Sequence, residues 1–170
     1  GQALRTEVSV AELGALYLYE LRAPNTGNYS PVQVHLANTL ERNLEILGQP
    51  GLAFGRDVVL SAQVAESLVP ASAGELLVDR GEVRLRASST GTSLILLPIE
   101  FSHCLELGVV IGGEAAVRPR ILRANLVQAA ILFGGTVDLK IRYFTGPFRN
   151  ASCRLRDADE MRTLLNTASK

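Results

Sequence analysis

Val137-Asp138-Leu139-Lys140-Ile141-Arg142-Tyr143 alternates apolar and charged residues without a break. Side chains of an extended chain point alternately to opposite faces. The run therefore predicts a half-buried strand with Val137, Leu139, Ile141 and Tyr143 on one face. Gly134-Gly135 opens it and Thr145-Gly146-Pro147 closes it. The same two-residue period recurs at Val83-Arg84-Leu85-Arg86, where Arg84 and Arg86 are expected to face solvent. Ser88-Ser89-Thr90-Gly91 then reads as a turn and Ser93–Phe101 as a mostly apolar strand, so residues 81–101 predict a hairpin. Val32–Leu36 is a shorter alternating run, and Leu16–Arg22 and Asp57–Val64 are further strand candidates. Glu106–Ile111, ending at Gly112-Gly113, predicts a buried strand. Residues 120–133 fit helix or strand, and we read them as a strand followed by a bend.

Two helices are expected. Asn38 and Thr39 can cap a segment with Leu40, Leu44 and Leu47 on one side, closed by Gly48 and Pro50. Asp157-Ala158-Asp159-Glu160 has capping-box spacing, with Asp in place of Ser or Thr and Met161, Leu164 and Leu165 as the apolar edge. About eight short strands with one or two short helices make the fold class mainly β: an antiparallel sandwich or jelly roll, without the alternation of a βαβ sheet. At 170 residues the chain is of single-domain size, spanning residues 1–170, with a sub-boundary conceivable near residues 116–120. With no Trp, five Phe and four Tyr, the core must be built from aliphatic residues. Uncharged runs such as Ala87–Ile99 and Asn125–Val137 contain polar residues, Gly or Pro and fall short of a membrane helix, so no transmembrane segment is expected.

The boundary near 116 rests on charge. Residues 1–116 hold 7 Lys/Arg against 13 Asp/Glu, and residues 117–170 hold 10 against 4, so balances of −6 and +6 cancel. An acidic body joined to a basic tail suggests association, within the chain, between copies or with a polyanion. Arg118, Arg120 and Arg123 cluster at one junction, and Arg149, Arg154 and Arg156 at another. On strands Arg118 and Arg120 share a face, as do Arg154 and Arg156. Arg118, Arg120, Arg123, Arg154 and Arg156 are therefore the candidate basic patch. Little aromatic interleaving accompanies them, so nucleic-acid binding is weakly supported.

Catalytic signals are weak. His103-Cys104 is the one His–Cys neighbour pair, and strand neighbours point apart, so no metal site is expected. Ser93 lacks the second glycine of a nucleophile elbow, and Glu41 with Glu45 reads as a solvated helical pair. Gly112-Gly113 and Gly134-Gly135 lack phosphate-loop patterns and read as sharp turns or bulges. No catalytic residue and no cofactor is assigned. The two cysteines, Cys104 and Cys153, are compatible with one disulfide or with two free thiols. Asn150-Ala151-Ser152 is a glycosylation sequon beside Cys153, and Asn28-Tyr29-Ser30 is a second, weakened by Pro31. The chain begins at Gly1 without an initiator Met, which reads as a mature or excised piece.

Ala130-Ile131-Leu132-Phe133-Gly134-Gly135-Thr136-Val137 and the run through Phe144 place an aromatic, then glycine, before an alternating strand. In this the segment resembles a strand of the jelly-roll coat proteins of picorna-like viruses, and Gly1 is similar to a polyprotein cleavage site. The resemblance implies a self-associating coat subunit located in a virion, and no functional residue is carried over from it. The leading expectation is a non-enzymatic structural or assembly domain, forming a homo-oligomer or binding other subunits through sheet faces and opposite charges. The alternative is a secreted or luminal β-sandwich binding module glycosylated at Asn150.

Overall fold

The computed structural model describes residues 4–10, 14–20, 29–79, 81–112, 117–143 and 151–166. Among them the chain is mainly β, with one mixed seven-stranded sheet, a separate hairpin and two helices. The arrangement is compatible with sandwich packing. The hairpin pairs β1 (Leu4–Val10) with β2 (Gly14–Glu20) in an unbroken antiparallel register. Leu21 and Arg22, the end of the candidate Leu16–Arg22, lie outside the described residues.

The large sheet is organised by two long antiparallel strands, β6 (Glu82–Glu100) and β9 (Gln128–Tyr143). Beside β6 lies β5 (Ala73–Asp79), at the sheet's edge. Along its other side β9 carries β8 (Arg120–Ala124) on its first half and β7 (Leu105–Gly112) on its second. Next come β4 (Asp57–Leu60) and β3 (Gln33–Leu36). The strands on both sides of residues 116–120 thus pair with the same strand, β9.

Alternation decides the core. On β6 and β9 the odd positions Val83, Leu85, Ala87, Ile95, Leu97, Ala129, Ile131, Phe133, Val137, Leu139 and Ile141 enter one cluster, joined by Leu76 of β5, Leu105 of β7 and Ile121 of β8. Five strands, β5 to β9, thus contribute to one interior on the odd face of the sheet. The even positions differ along the strand. Leu94, Leu96, Ala130 and Leu132 are buried in a second cluster with Val58 and Leu60, whereas Glu82, Arg84, Asp138 and Lys140 form a polar outer face. Half of the sheet is therefore buried on both sides and half on one.

Three expectations change. First, residues 81–101 are not a hairpin: β6 runs straight through Ser88–Gly91. Turn-forming residues hold an extended path here because their polar groups are satisfied sideways. Val69 N–H donates to Thr92 O at 2.8 Å, Ser72 N–H to Ser88 O at 2.8 Å, and Ser93 Oγ to Val69 O at 2.5 Å. The extra residues are absorbed as a bulge, the register passing from Ser88↔Thr136 to Thr92↔Gly134. Gly135, at φ 77, supplies the left-handed residue this irregularity needs. Second, a βαβ unit is present: β3 and β4 are parallel and α1 (Leu40–Leu47) connects them. Thr39 Oγ1 caps α1 by accepting from Arg42 N, and Gly48 N–H closes it onto Leu44 O. Its inner side is Ile46, packed on Ala37 and Val59, with buried Asn43 donating to Ala37 O and Thr39 O, whereas Leu44 is exposed. Third, α2 spans Ala151–Asn166, so its start lies six residues before the predicted cap at Asp157. Glu106–Ile111 falls within β7, which pairs only with β9 among the described strands, so this strand is a sheet edge and Glu106 is exposed.

Candidate association surface

Helix α2 is fastened to the sheet by one face. Cys153, Asp157, Glu160 and Leu164 follow the alternating four- and three-residue spacing that lines up side chains on a helix. Cys153 is disulfide-bonded to Cys104, with Cα atoms 5.1 Å apart. Asp157 accepts hydrogen bonds from Ser102 Oγ at 2.5 Å and His103 N–H at 2.8 Å. Glu160 accepts from His103 Nε2 at 2.9 Å and from Arg123 Nη2 and Nε at 3.0 and 3.2 Å. Leu164 is buried. Burial pushes the Glu160 carboxyl up, but Arg123 and then His103 outweigh it and hold the group below its usual range.

The same contacts divide the five candidate arginines. Arg123 is only 8% exposed: besides Glu160 it donates to Leu126 O at 3.1 Å, and its guanidinium sits 4.6 Å from the centre of the Phe101 ring. It is an internal cation and cannot serve an external patch. Arg154 and Arg156 lie on α2, not on a strand, and at ~100° per residue they diverge by about 200°. Arg118 and Arg120 are exposed at the start of β8. Of the five candidates, Arg123 is thus held internally by Glu160, and the four exposed arginines lie at the start of β8 and on α2. Arg149 and Asn150 lie outside the described residues.

The chemistry-bearing groups are largely committed to each other. Cys104 is oxidised, and His103 is held by Glu160 and packs edge-on against Phe101. His35 Nε2 donates to buried Asp57 at 3.0 Å, and Asp57 also accepts from Ala53 N–H and Arg56. Burial raises the Asp57 pKa, yet those bonds together bring it below its ordinary value. Ser93 Oγ is spent on Val69 O and Ser89. Among the described residues no group of three or more His, Cys, Asp or Glu could hold a metal ion. No described helix is long and apolar enough to cross a membrane.

The even-numbered outer face of β6 and β9 carries a charge lattice. Arg84 grips Asp138 with two hydrogen bonds of 3.1 and 2.9 Å. Arg86 reaches Asp138 at 3.0 Å and Glu75 of β5 at 3.3 Å. Glu82 is paired with Arg142 and, at 3.4 Å, with Lys140. The Arg84 hydrogen bonds are the main cause of a lowered Asp138 pKa, and the Arg142 hydrogen bond is that of a lowered Glu82 pKa. Leu77, Asp79, Glu82 and Arg84 surround a depression of about 350 Å³ at the β5 side of this lattice.

Two elements present apolar side chains to solvent beside these features. Leu77 and Val78 of β5 are 53% and 58% exposed, and Leu155, Met161 and Leu165 are exposed on the outer side of α2. Sequence patterning missed β5 because Leu76-Leu77-Val78 does not alternate; three consecutive apolar residues bounded by acids were its signal. Asp157 and Glu160 lie inside α2 rather than at its cap, and their spacing from Cys153 is the sequence signal of the docked face. No protein family, characterised protein or solved structure matches the chain.

Proposed function

We propose that this chain is a non-enzymatic β-rich binding module of an oxidising compartment, extracellular or luminal, acting by association with another polypeptide. The Cys104–Cys153 bridge carries the reading. A reducing cytosol keeps such thiols apart, while secretory compartments let the bridge persist. The sequon Asn150-Ala151-Ser152 directly precedes Cys153 and is of the same compartment's chemistry. Solvent-facing Leu77 and Val78 at a sheet edge supply the adhesive surface. His103, Glu160, Asp157 and Arg123 spend their polar groups on holding α2, which supports a scaffold role for this cluster over catalysis.

Self-assembly, with a coat subunit as its most concrete form, is the second reading. What favours it is that exposed apolar residues are spread over several elements, among them Leu36 of β3, Leu44 of α1, Leu77 of β5 and Leu155 of α2, as a subunit with more than one neighbour requires. Binding to nucleic acid through Arg118, Arg120, Arg154 and Arg156 has the least support, because these exposed arginines are not gathered on one element.

Intact-mass measurement of native material without reductant tests the module. A mass two hydrogens below the reduced chain, with a glycan on Asn150, is the expected result. Two free thiols and a particle-sized species by light scattering, dissolving as salt is raised, would replace it with the coat subunit.

A further inference from the structure

We infer that the free edge of β5 docks an extended segment of a partner polypeptide, with Lys or Arg flanking an aliphatic residue on one face and aliphatic residues on the other. This rests on the association reading above and names the site and the partner's chemistry.

The argument begins with the backbone. β5 pairs with β6 along its whole length, from Ala73↔Ser88 to Asp79↔Glu82. No strand lies on its other side among the described residues. Outward N–H and C=O groups alternate with inward ones, so an added strand over seven residues finds about six to eight backbone hydrogen bonds.

The side chains set the specificity. Cross-strand partners share a face, so Leu76 and Val78 lie with Leu85 and Val83 on the core side. Leu76 packs against the main cluster, but Val78 is 58% exposed, so the cluster's rim is open at this edge. Aliphatic residues on a docked strand would extend the core there. On the opposite face, Glu75, Leu77 and Asp79 form a row of acid, aliphatic, acid. Glu75 shares one bond with Arg86, both more than half exposed, and the Asp79 carboxylate has no ion pair or hydrogen bond with a described residue. Arg80 lies outside the described residues. The depression beside Leu77 and Asp79 gives room for a long side chain.

That row selects against a second copy. In an antiparallel β5–β5 pairing about the twofold, the four acids of two edges crowd one face, and like charges across a strand pair destabilise it. A strand presenting cation, aliphatic, cation meets Glu75, Leu77 and Asp79 with favourable partners throughout.

The test uses the intact oxidised protein and a labelled, end-capped peptide, Thr-Lys-Val-Leu-Val-Lys-Thr, with a control in which both Lys are Glu. Anisotropy reads binding, and hydrogen exchange reads the β5 amides. The Lys peptide is expected to bind, more weakly as salt rises, and to slow exchange at Gly74–Asp79. The double variant Glu75→Lys/Asp79→Lys should bind it at least about tenfold more weakly and take the Glu peptide instead, as two cross-strand contacts turned from attraction to repulsion predict. If that variant fails to fold by circular dichroism, Leu77→Ser replaces it, with a several-fold loss expected. Equal binding of both peptides, or no effect of the substitutions, overturns the proposal. So does absence of binding, in either of two forms. β5 amides protected more strongly as protein concentration rises would place a second copy on the edge; amides exchanging freely at every concentration would leave the edge unused. Neither form touches the module reading, which stands on the mass of the native chain.

Discussion

Removing the Cys104–Cys153 bridge tests how the chain is held together. The cysteines are 49 residues apart in sequence. On the chain-entropy account, opening a loop of that length returns about 14 cal/mol/K to the unfolded ensemble, about 4 kcal/mol near room temperature. A domain of this size is typically stable by only ~5–15 kcal/mol, so the bridge is a large fraction of the total. Beside the bridge and buried Leu164, α2 is tied by the Asp157 bonds to Ser102 and His103 and the Glu160 bonds to Arg123 and His103. Partly exposed, they contribute about 1 kcal/mol each after solvent screening. Reduced protein should therefore keep α2 docked at neutral pH and lose stability as a whole. Acid removes the second restraint. The Glu160 carboxyl is held below its ordinary 4.5, so its contribution is complete above that value and vanishes as pH falls through the folded one. Reduction combined with acid should release the helix before the sheet unfolds. The chain has no Trp, so urea unfolding is best followed by circular dichroism, with Cys104→Ser/Cys153→Ser beside the oxidised protein. The expected result is a loss of about 4 kcal/mol with a steeper denaturant dependence, because the open chain exposes more surface. A loss below about 1 kcal/mol with the slope unchanged would mean that the bridge does not close this loop in the folded protein, and the account of α2 docking would fall with it.

Three further outcomes follow from single side chains. Asn125, buried at φ 47, accepts from Val59 N–H and donates to Tyr29 Oη and Gln128 Oε1; Asn125→Ala should cost about 3 kcal/mol in urea unfolding by orphaning buried partners and placing Ala at positive φ. Phe133→Ala removes a fully buried ring from the main cluster and should cost ~3–5 kcal/mol by the same measurement. The Asp57 carboxyl, brought below its ordinary 3.8, gives stability that is complete above that pH and disappears as pH falls through the folded value. Asp57→Asn should flatten the acid limb of a melting-temperature profile, and a limb of unchanged steepness would show that His35, Ala53 and Arg56 do not hold the ionised form.

Legibility followed locality. The period of two in Val137–Tyr143 and Val83–Arg86 placed both central strands because each side chain's face depends only on its neighbours. Thr39 and Gly48 bounded α1 for the same reason. What failed depended on partners distant in sequence. Ser88–Gly91 has the composition of a turn, and only residues 68–72 alongside make it strand. α2 begins with Ala151-Ser152-Cys153-Arg154, which shows no apolar stripe, because its inner face is a disulfide, two carboxylates and one leucine. β5 is an edge whose outer row keeps Leu77 in solvent, so no alternation marked it.

The charge asymmetry needs the same distinction between totals and neighbours. Part of it closes within the chain: Glu82 of the acidic body is paired with Lys140 and Arg142 of the basic remainder. Yet Arg84 and Arg86 of the acidic body pair with Asp138 across the same boundary, and Glu160 neutralises Arg123 within the basic part. Opposite balances of equal size therefore do not describe two opposed faces. The charges that can select a partner are those left unpaired, or shared loosely in water, among the described residues, and at the β5 edge these are Asp79 and Glu75. They flank an exposed Leu77 on a strand with no neighbour on one side among the described residues, so acid is placed where an incoming backbone would lie. On the docking proposed above, recognition would be set by that local row and would act unchanged if the chain's overall balance were shifted elsewhere on its surface beyond the ~10 Å over which exposed charges are felt.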